Sequence, residues 1–249
     1  MTMKREIHLT GRDLMGMVQL RPGDIGEYVI VPGPKERMEA VMKKLNNPVK
    51  NFSFMEYTMY TGEFNGKKVT TINGGRFSAD TGITTEIVCN ATTKAMIRVG
   101  SCGALREDIK VGDLIVVTSA ICGEGLSQYY AGKDVIPFSD KNLSVKLAEV
   151  AKQAGPMVGA VHMGSCWTTD ALLRETKDVI NGAVAKGAIA ADMVTSAFLT
   201  IANHYKIPAV AIMAVSDNVI TGEMGFMNPS YYMAEAAMID IAFNMIKGI

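Results

Sequence analysis

The chain has no run of about 18 consecutive apolar residues, so no transmembrane helix is expected. Its first segment, MTMKREIHLTGRDLMG, lacks an apolar core long enough for a signal peptide. Together these absences lead to the expectation of a cytoplasmic protein. Cysteine is scarce. Cys89, Cys102, Cys122 and Cys166 are spaced by 13, 20 and 44 residues, with no C-x-x-C pair. Neither a zinc site nor a disulfide framework is expected from that spacing, and buried reduced thiols are. Net charge is also lacking, with 25 basic against 25 acidic residues. Bulk electrostatics therefore gives no reason to bind nucleic acid or an anionic membrane. Any anion must be held by a few locally placed cations. Linkers, low-complexity tracts and internal repeats are absent.

What is present is the composition of a globular protein: 249 residues, 48% hydrophobic and 20% charged. The length fits one large domain or two small ones, and the expectation is a single domain over residues 1–249. Methionine is abundant at 18, and adaptable core and interface packing is the preferred account of it. Short apolar runs read as strands at 28–31, 69–72, 95–99, 114–118, 158–163, 188–191 and 209–215. Between them lie helical patterns at 35–44, 81–93, 143–154, 169–180, 194–204 and 230–246. Asp170, after a Thr-Thr pair, reads as a helix start, and Pro34 suits a first turn. Phe64-Asn65-Gly66-Lys67 reads as a tight hairpin turn, because Asn-Gly tolerates left-handed angles. Alternating strands and helices imply a layered α/β domain, and the hairpin argues for a mixed sheet. Ligands in such sheets sit beyond the carboxyl ends of strands.

The segments just after the strands are therefore the place to look for chemistry. Gly33, in Val31-Pro32-Gly33-Pro34, lets the backbone approach a ligand at a helix start. Arg37, one turn in, is a forked donor suited to phosphate, or else a surface arginine. Arg98 ends an apolar strand, where burial is costly unless it meets an anion or a structural salt bridge. Gly100 and Gly103 bracket Ser101 and leave its amide and hydroxyl accessible. Asp217 directly follows an apolar run. Desolvation there would raise its pKa, the condition for a proton donor near neutral pH, although a cap or turn role is the alternative. Asp192 joins a strand to a helix and can serve as that helix's N-cap. Together these segments suggest a site for a small anion and a sugar-sized polar ligand, with one proton donor.

The same segments resemble the hexameric-type nucleoside phosphorylases, the family of bacterial purine nucleoside phosphorylase and uridine phosphorylase. The likeness runs from Ile7-His8-Leu9-Thr10 to the C-terminal helix. It is most specific in Ile97-Arg98-Val99-Gly100-Ser101-Cys102-Gly103-Ala104. Val31-Pro32-Gly33 with Arg37, Gly112-Asp113-Leu114-Ile115-Val116, Thr169-Asp170 and Val215-Ser216-Asp217 agree in order and spacing. The resemblance implies a three-layer α/β/α fold around a mixed sheet that curls into a barrel. It implies a homodimer unit, commonly assembled into a hexamer, and reversible phosphorolysis with no cofactor beyond the co-substrate phosphate. It carries phosphate binding onto Gly33, Arg37, Arg98 and Ser101, with Arg98 also acting in catalysis, and base protonation onto Asp217 helped by Ser216. His8 matches a histidine that neighbouring subunits lend toward the ribose 5′-hydroxyl. Met193 matches a methionine under the ribose, Asp192 beside it is counted with the nucleoside-binding residues, and Leu172 stands where a base-stacking phenylalanine is usual.

The sequence departs from that pattern at three places. The family's Glu-Met-Glu reads Asp192-Met193-Val194, and Val194 cannot grip sugar hydroxyls, which leaves a deoxysugar or modified sugar open. Met55 stands where an arginine crosses the dimer interface to the phosphate. The Gly-Met-Gly-x-Pro-Ser loop reads Asn73-Gly74-Gly75-Arg76-Phe77-Ser78, and Arg76 is the candidate replacement cation or else a surface arginine. Thr176 and Asp178 stand where uridine phosphorylases clamp uracil with glutamine and arginine, which favours purines. Glu56-Tyr57-Thr58 and Gly125-Leu126-Ser127 look more like the uridine branch. The rival readings are a uridine phosphorylase, a nucleosidase of the same fold, and a weakened relative that binds a nucleoside.

Overall fold

The computed structural model describes residues 6–249. Its strands are β1 (Tyr28–Pro32), β2 (Asn46–Phe54), β3 (Tyr57–Phe64), β4 (Lys67–Ile72), β5 (Ala95–Ala104), β6 (Leu114–Gly123), β7 (Val161–Thr169), β8 (Ala188–Asp192), β9 (Ala209–Asn218) and β10 (Glu223–Met224). Its helices are α1 (Gly11–Met17), α2 (Lys35–Met42), α3 (Ser78–Cys89), α4 (Gln128–Ala131), α5 (Lys141–Lys152), α6 (Lys177–Ala185), α7 (Thr195–His204) and α8 (Pro229–Lys247). The strands form one mixed sheet in the order β10-β9-β6-β7-β8-β5-β1-β4-β3-β2, and β9 also pairs with β5. That extra pairing closes β5, β9, β6, β7 and β8 into a five-stranded barrel, and the remaining strands extend from it as an open wing. The expected layered fold with a partly barrel-like mixed sheet is what the chain adopts.

The layers follow from alternation along buried strands. Met96, Ala211, Met213 and Val215 face a core shared with Met15 of α1, Ile87 of α3 and Phe198 of α7. Ile97, Val99, Ile212 and Ala214 face the other core, with Val41 of α2, Leu147 of α5 and Met238 of α8. Methionine packs into both layers, and Met17, Met55, Met227 and Met233 are exposed. Cys89, Cys102 and Cys166 are buried free thiols, and Cys122 is half-buried. No helix among the described residues is long and apolar enough to cross a membrane.

The hairpin turn lies where Asn-Gly predicts it. Asn65 and Gly66 take φ of 50° and 74° between β3 and β4. One expected helix is overturned. Strand β7 runs to Thr169, a 3₁₀ turn follows at Leu172–Arg174, and α6 begins only at Lys177. Asp170 does not start a helix; its carboxylate accepts from the Gly125 amide at 2.9 Å, pinning the loop after β6. The expected strand 158–163 likewise begins at Val161, after a 3₁₀ turn at Gly155–Met157.

Candidate active site

A cavity of about 870 Å³ opens beyond the carboxyl ends of β1, β5, β8 and β9. It brings together Gly33, Arg37, Arg76, Arg98, Ser101, Leu172, Asp192, Met193, Ser216 and Asp217 from six separate segments. His8 does not line it and is exposed near the start of the described chain.

Each side chain is placed by a local device. Strand β5 continues past Val99 through Gly100-Ser101-Cys102-Gly103, and the glycines are what allow it. A Cβ on Gly100 would stand 3.2 Å from Arg98 Nη2, so the arginine folds back beneath its own strand. A Cβ on Gly103 would stand 2.9 Å from Asp217 Oδ2. Opposite, β9 carries a bulge: Cys102 pairs with Val215 but Gly103 pairs with Asp217, leaving Ser216 as the extra residue. Such a bulge re-aims the side chains that follow it, and here it places both Ser216 and Asp217 on the cavity wall.

Ser216 Oγ lies 3.1 Å from the Cys102 carbonyl oxygen and 2.7 Å from Asp217 Oδ1. A hydroxyl has one hydrogen to give, and a backbone carbonyl can only accept. Ser216 Oγ therefore shares its one hydrogen between the Cys102 carbonyl and the Asp217 carboxylate. Glu175, half-buried after the 3₁₀ turn, has its carboxyl pushed above the usual range by burial and then by the charge of Asp217.

Arg98 is buried and bonded on one side only. Its Nε donates to Thr195 Oγ1 at 3.2 Å, and its Nη2 reaches Asp192 Oδ2 at 3.4 Å. Its Nη1 is buried with no hydrogen-bond partner among the described residues. Burial lowers its pKa, opposed by Asp192, and an arginine remains charged all the same. A buried cation with an unused donor beside a cavity is a receptor for an anion.

Asp192 is held from several sides. It accepts from Thr168 Oγ1 at 2.8 Å, from the Thr195 amide at 3.0 Å and from Thr195 Oγ1 at 2.6 Å, besides pairing with Arg98. Asp192 is not the N-cap expected of it: Val194 takes that place, and Asp192 instead reaches forward from the end of β8 to the Thr195 amide. Val194 beside it is buried and apolar, and it lines the cavity next to Met193.

Arg37 is also buried, but its fork is occupied. Nε donates to Glu235 Oε1 at 2.9 Å, Nη2 pairs with the same oxygen, and Nη1 donates to the Val99 carbonyl at 3.2 Å. Arg76 is exposed on the loop after β4 and has no hydrogen-bond or ion-pair partner among the described residues. Gly33 and Gly75 hold the loops after β1 and β4 together, since a Cβ on Gly33 would stand 3.3 Å from the Gly75 carbonyl.

Sequence reasoning missed the contribution of the C-terminal region. Met224, Phe226, Tyr231, Tyr232 and Glu235 all line the cavity. Tyr231 stands near Ser101, and burial with the nearby charge of Glu235 pushes its phenol up, so it remains a hydrogen donor. Met224 follows from β10, which pairs it with Asp217. Nothing local in Pro229–Lys247 announces these positions, since Glu235 and Arg37 are 198 residues apart. The apolar side chains Phe226, Leu172 and Leu173 also line the cavity.

Residues 27–239 match the family model described as the phosphorylase superfamily. DeoD-type purine nucleoside phosphorylases of Bacillus cereus and Bacillus thuringiensis (strain Al Hakam) are each 27% identical over 209 residues, covering 83% of this chain and 88% of the relative. A purine nucleoside phosphorylase from Toxoplasma gondii, solved with immucillin-H, superposes with a TM-score of 0.84 at 20% identity, over 100% of this chain and 98% of that one. A uridine phosphorylase from Vibrio fischeri, solved with 6-hydroxy-1-naphthoic acid, gives 0.82 at 21% identity, over 93% and 96%. At those identities the two structures speak for the fold.

Proposed function

The chain belongs to the phosphorylase superfamily, and from that premise we propose that it cleaves nucleosides with inorganic phosphate, releasing the free base and a (deoxy)ribose 1-phosphate. The observation that carries the proposal is the pairing of two functions in one cavity. Arg98 brings a buried Nη1 with no hydrogen-bond partner among the described residues, and the carboxyl group of Asp217, bonded to Ser216, lines the same cavity.

The chemistry follows from that arrangement. As the glycosidic bond stretches, the sugar gathers positive charge at C1′. A phosphate held by Arg37, Arg98, Ser101, the Gly33 turn and Arg76 stabilises that charge and then captures it, an effect of proximity and electrostatics. The departing base gathers negative charge. Asp217, once it has taken up a proton, donates it to a purine N7. Leu172 and Phe226 cover the base, and Met193 packs under the sugar. Asp192 lines the cavity beside Met193 on the nucleoside side, and it also braces Arg98 and Thr195.

Purines are favoured over uridine in this reading, because Thr176 and Asp178 offer no bidentate clamp for a pyrimidine edge. The buried Val194 leaves the sugar hydroxyls without a charged acceptor on that side, which favours deoxy or otherwise modified sugars. No cofactor enters the scheme. His8 reaches a site by completing a neighbour's, in a homodimer unit assembled into a hexamer, and the enzyme works in the cytoplasm.

The test is a turnover panel with phosphate present: inosine, 2′-deoxyinosine, guanosine and uridine. The reading expects purine nucleosides to exceed uridine in kcat/KM, and the deoxy substrate to match or exceed its ribo counterpart. Uridine ahead of every purine would reverse the assignment of base.

A further inference from the structure

The cavity that is to receive an anion is lined by three arginines, Arg37, Arg76 and Arg98, but by four carboxylates, Glu36, Asp192, Asp217 and Glu235. An entering phosphate therefore meets no surplus of positive charge. The four carboxylates differ in how firmly they are held. Asp192 is locked by Thr168, Thr195 and Arg98. Asp217 is bonded to Ser216. Glu36 is exposed at the mouth. Glu235 is different: it faces the cavity, its side chain keeps 27% of its surface exposed, and its only hydrogen-bond and ion-pair partner among the described residues is Arg37. The pair has no second anchor on the carboxylate side. Arg37 has one, because Nη1 is tied to the Val99 carbonyl. If the pair opens, Glu235 moves and Arg37 stays.

We propose that Glu235 is a built-in competitor of phosphate: its carboxylate occupies the fork of Arg37 in the empty site and is displaced when the anion binds. Glu235 thereby sets the affinity for phosphate without touching the reacting bond. The carboxylate and a phosphate oxygen are chemically alike toward a guanidinium, both accepting forked, charge-assisted hydrogen bonds. Displacement thus replaces one such pair by another and leaves Arg37 paired in both states. A fixed carboxylate remaining beside the bound dianion would instead repel it at short range in a poorly solvated pocket. The helix carrying Glu235 also carries Tyr231, one turn earlier and near Ser101, so the carboxylate and the phenol report on the same anion subsite.

This inference rests on the phosphorolysis reading only for its biological consequence, and its test can separate the two. Inorganic phosphate is titrated calorimetrically into the wild type, Glu235→Gln, Glu235→Ala and Glu235→Asp without nucleoside. KM for phosphate and kcat are measured alongside. Both neutral variants are expected to bind phosphate at least fivefold more tightly, with KM for phosphate falling in parallel and kcat changing less. Glu235→Asp keeps the charge and should stay near the wild type. Should only one neutral variant fold, that variant alone decides. Equal or weaker phosphate binding in a folded neutral variant overturns the proposal and makes Glu235 a mere brace for Arg37. A wild type that binds no phosphate, beside a neutral variant that does, supports the competitor role while removing phosphorolysis as the native reaction.

Discussion

Gly103 of β5 stands directly across from Asp217 of β9, so close that a single added methyl carbon would lie 2.9 Å from the Asp217 carboxylate. The bulge that aims Asp217 into the cavity thus depends on the residue opposite having no side chain. Gly103→Ala should therefore displace the proposed proton donor, and the Val219 side chain with it. Displacements near 1 Å can cost on the order of 100-fold in rate. The expected result is a fall in kcat of that order with phosphate binding retained, measured by steady-state kinetics beside phosphate titration. Unchanged kcat would show that Asp217 needs no such clearance.

Asp192 and Arg98 make the second linked pair, and both are buried. Asp192→Ala leaves the guanidinium with Thr195 as its one remaining side-chain partner. Breaking a buried pair by removing one member typically costs about 3–5 kcal/mol. In a domain of this size that corresponds to a fall in Tm of roughly 10 °C. Asp192→Asn keeps the hydrogen-bonding shape and should lose less. Thermal unfolding of both variants checks the order.

Glu175 supplies a pH dependence. Its carboxyl is held above the ordinary value of 4.5 by burial and by Asp217. An acid whose pKa is raised by folding binds protons more readily in the folded state, so stability falls as pH rises from about 4.5 through the raised value. Glu175→Gln removes the group that must charge. The variant should gain Tm relative to the wild type at pH 7.5, and the gain should vanish near pH 4. A gain independent of pH would point to packing instead.

Arg76 is the exposed cation on the loop after β4. If it helps to hold phosphate, Arg76→Ala raises KM for phosphate several-fold with little change in Tm. An unchanged KM would leave it a surface arginine and the anion to Arg37, Arg98 and Ser101.

The strand-end residues of this site were legible because each breaks a local rule. Arg98 interrupts an apolar run, Asp217 follows one, and Gly33, Gly100 and Gly103 supply backbone where side chains would be expected. The central strands were legible for the related reason that they are buried on both faces and read as continuous apolar runs. Strands β2 and β3 were not recognised. Strand β2 forms the sheet edge, and its sequence, Asn46 to Phe54, is mostly exposed and carries Pro48 and Lys50. Edge strands are built to resist pairing, and polar residues with proline do that at the expense of a readable pattern. The helix expected over 169–180 failed because Asp170 finds its amide partner at Gly125, far away in sequence, rather than in a following helical turn. Glu235 and Tyr231 were invisible for the same kind of reason. On a helix packed against the sheet, a glutamate facing Arg37 is indistinguishable by sequence from one facing solvent.

The most direct test of the account is whether base release consumes phosphate. Purified enzyme is incubated with a purine nucleoside, with and without inorganic phosphate, while free base is followed by absorbance and phosphorus species by ³¹P NMR. The account predicts base release only when phosphate is present, with one sugar phosphate formed per base. Base released at the same rate without phosphate, accompanied by free sugar and no new phosphorus signal, would contradict it.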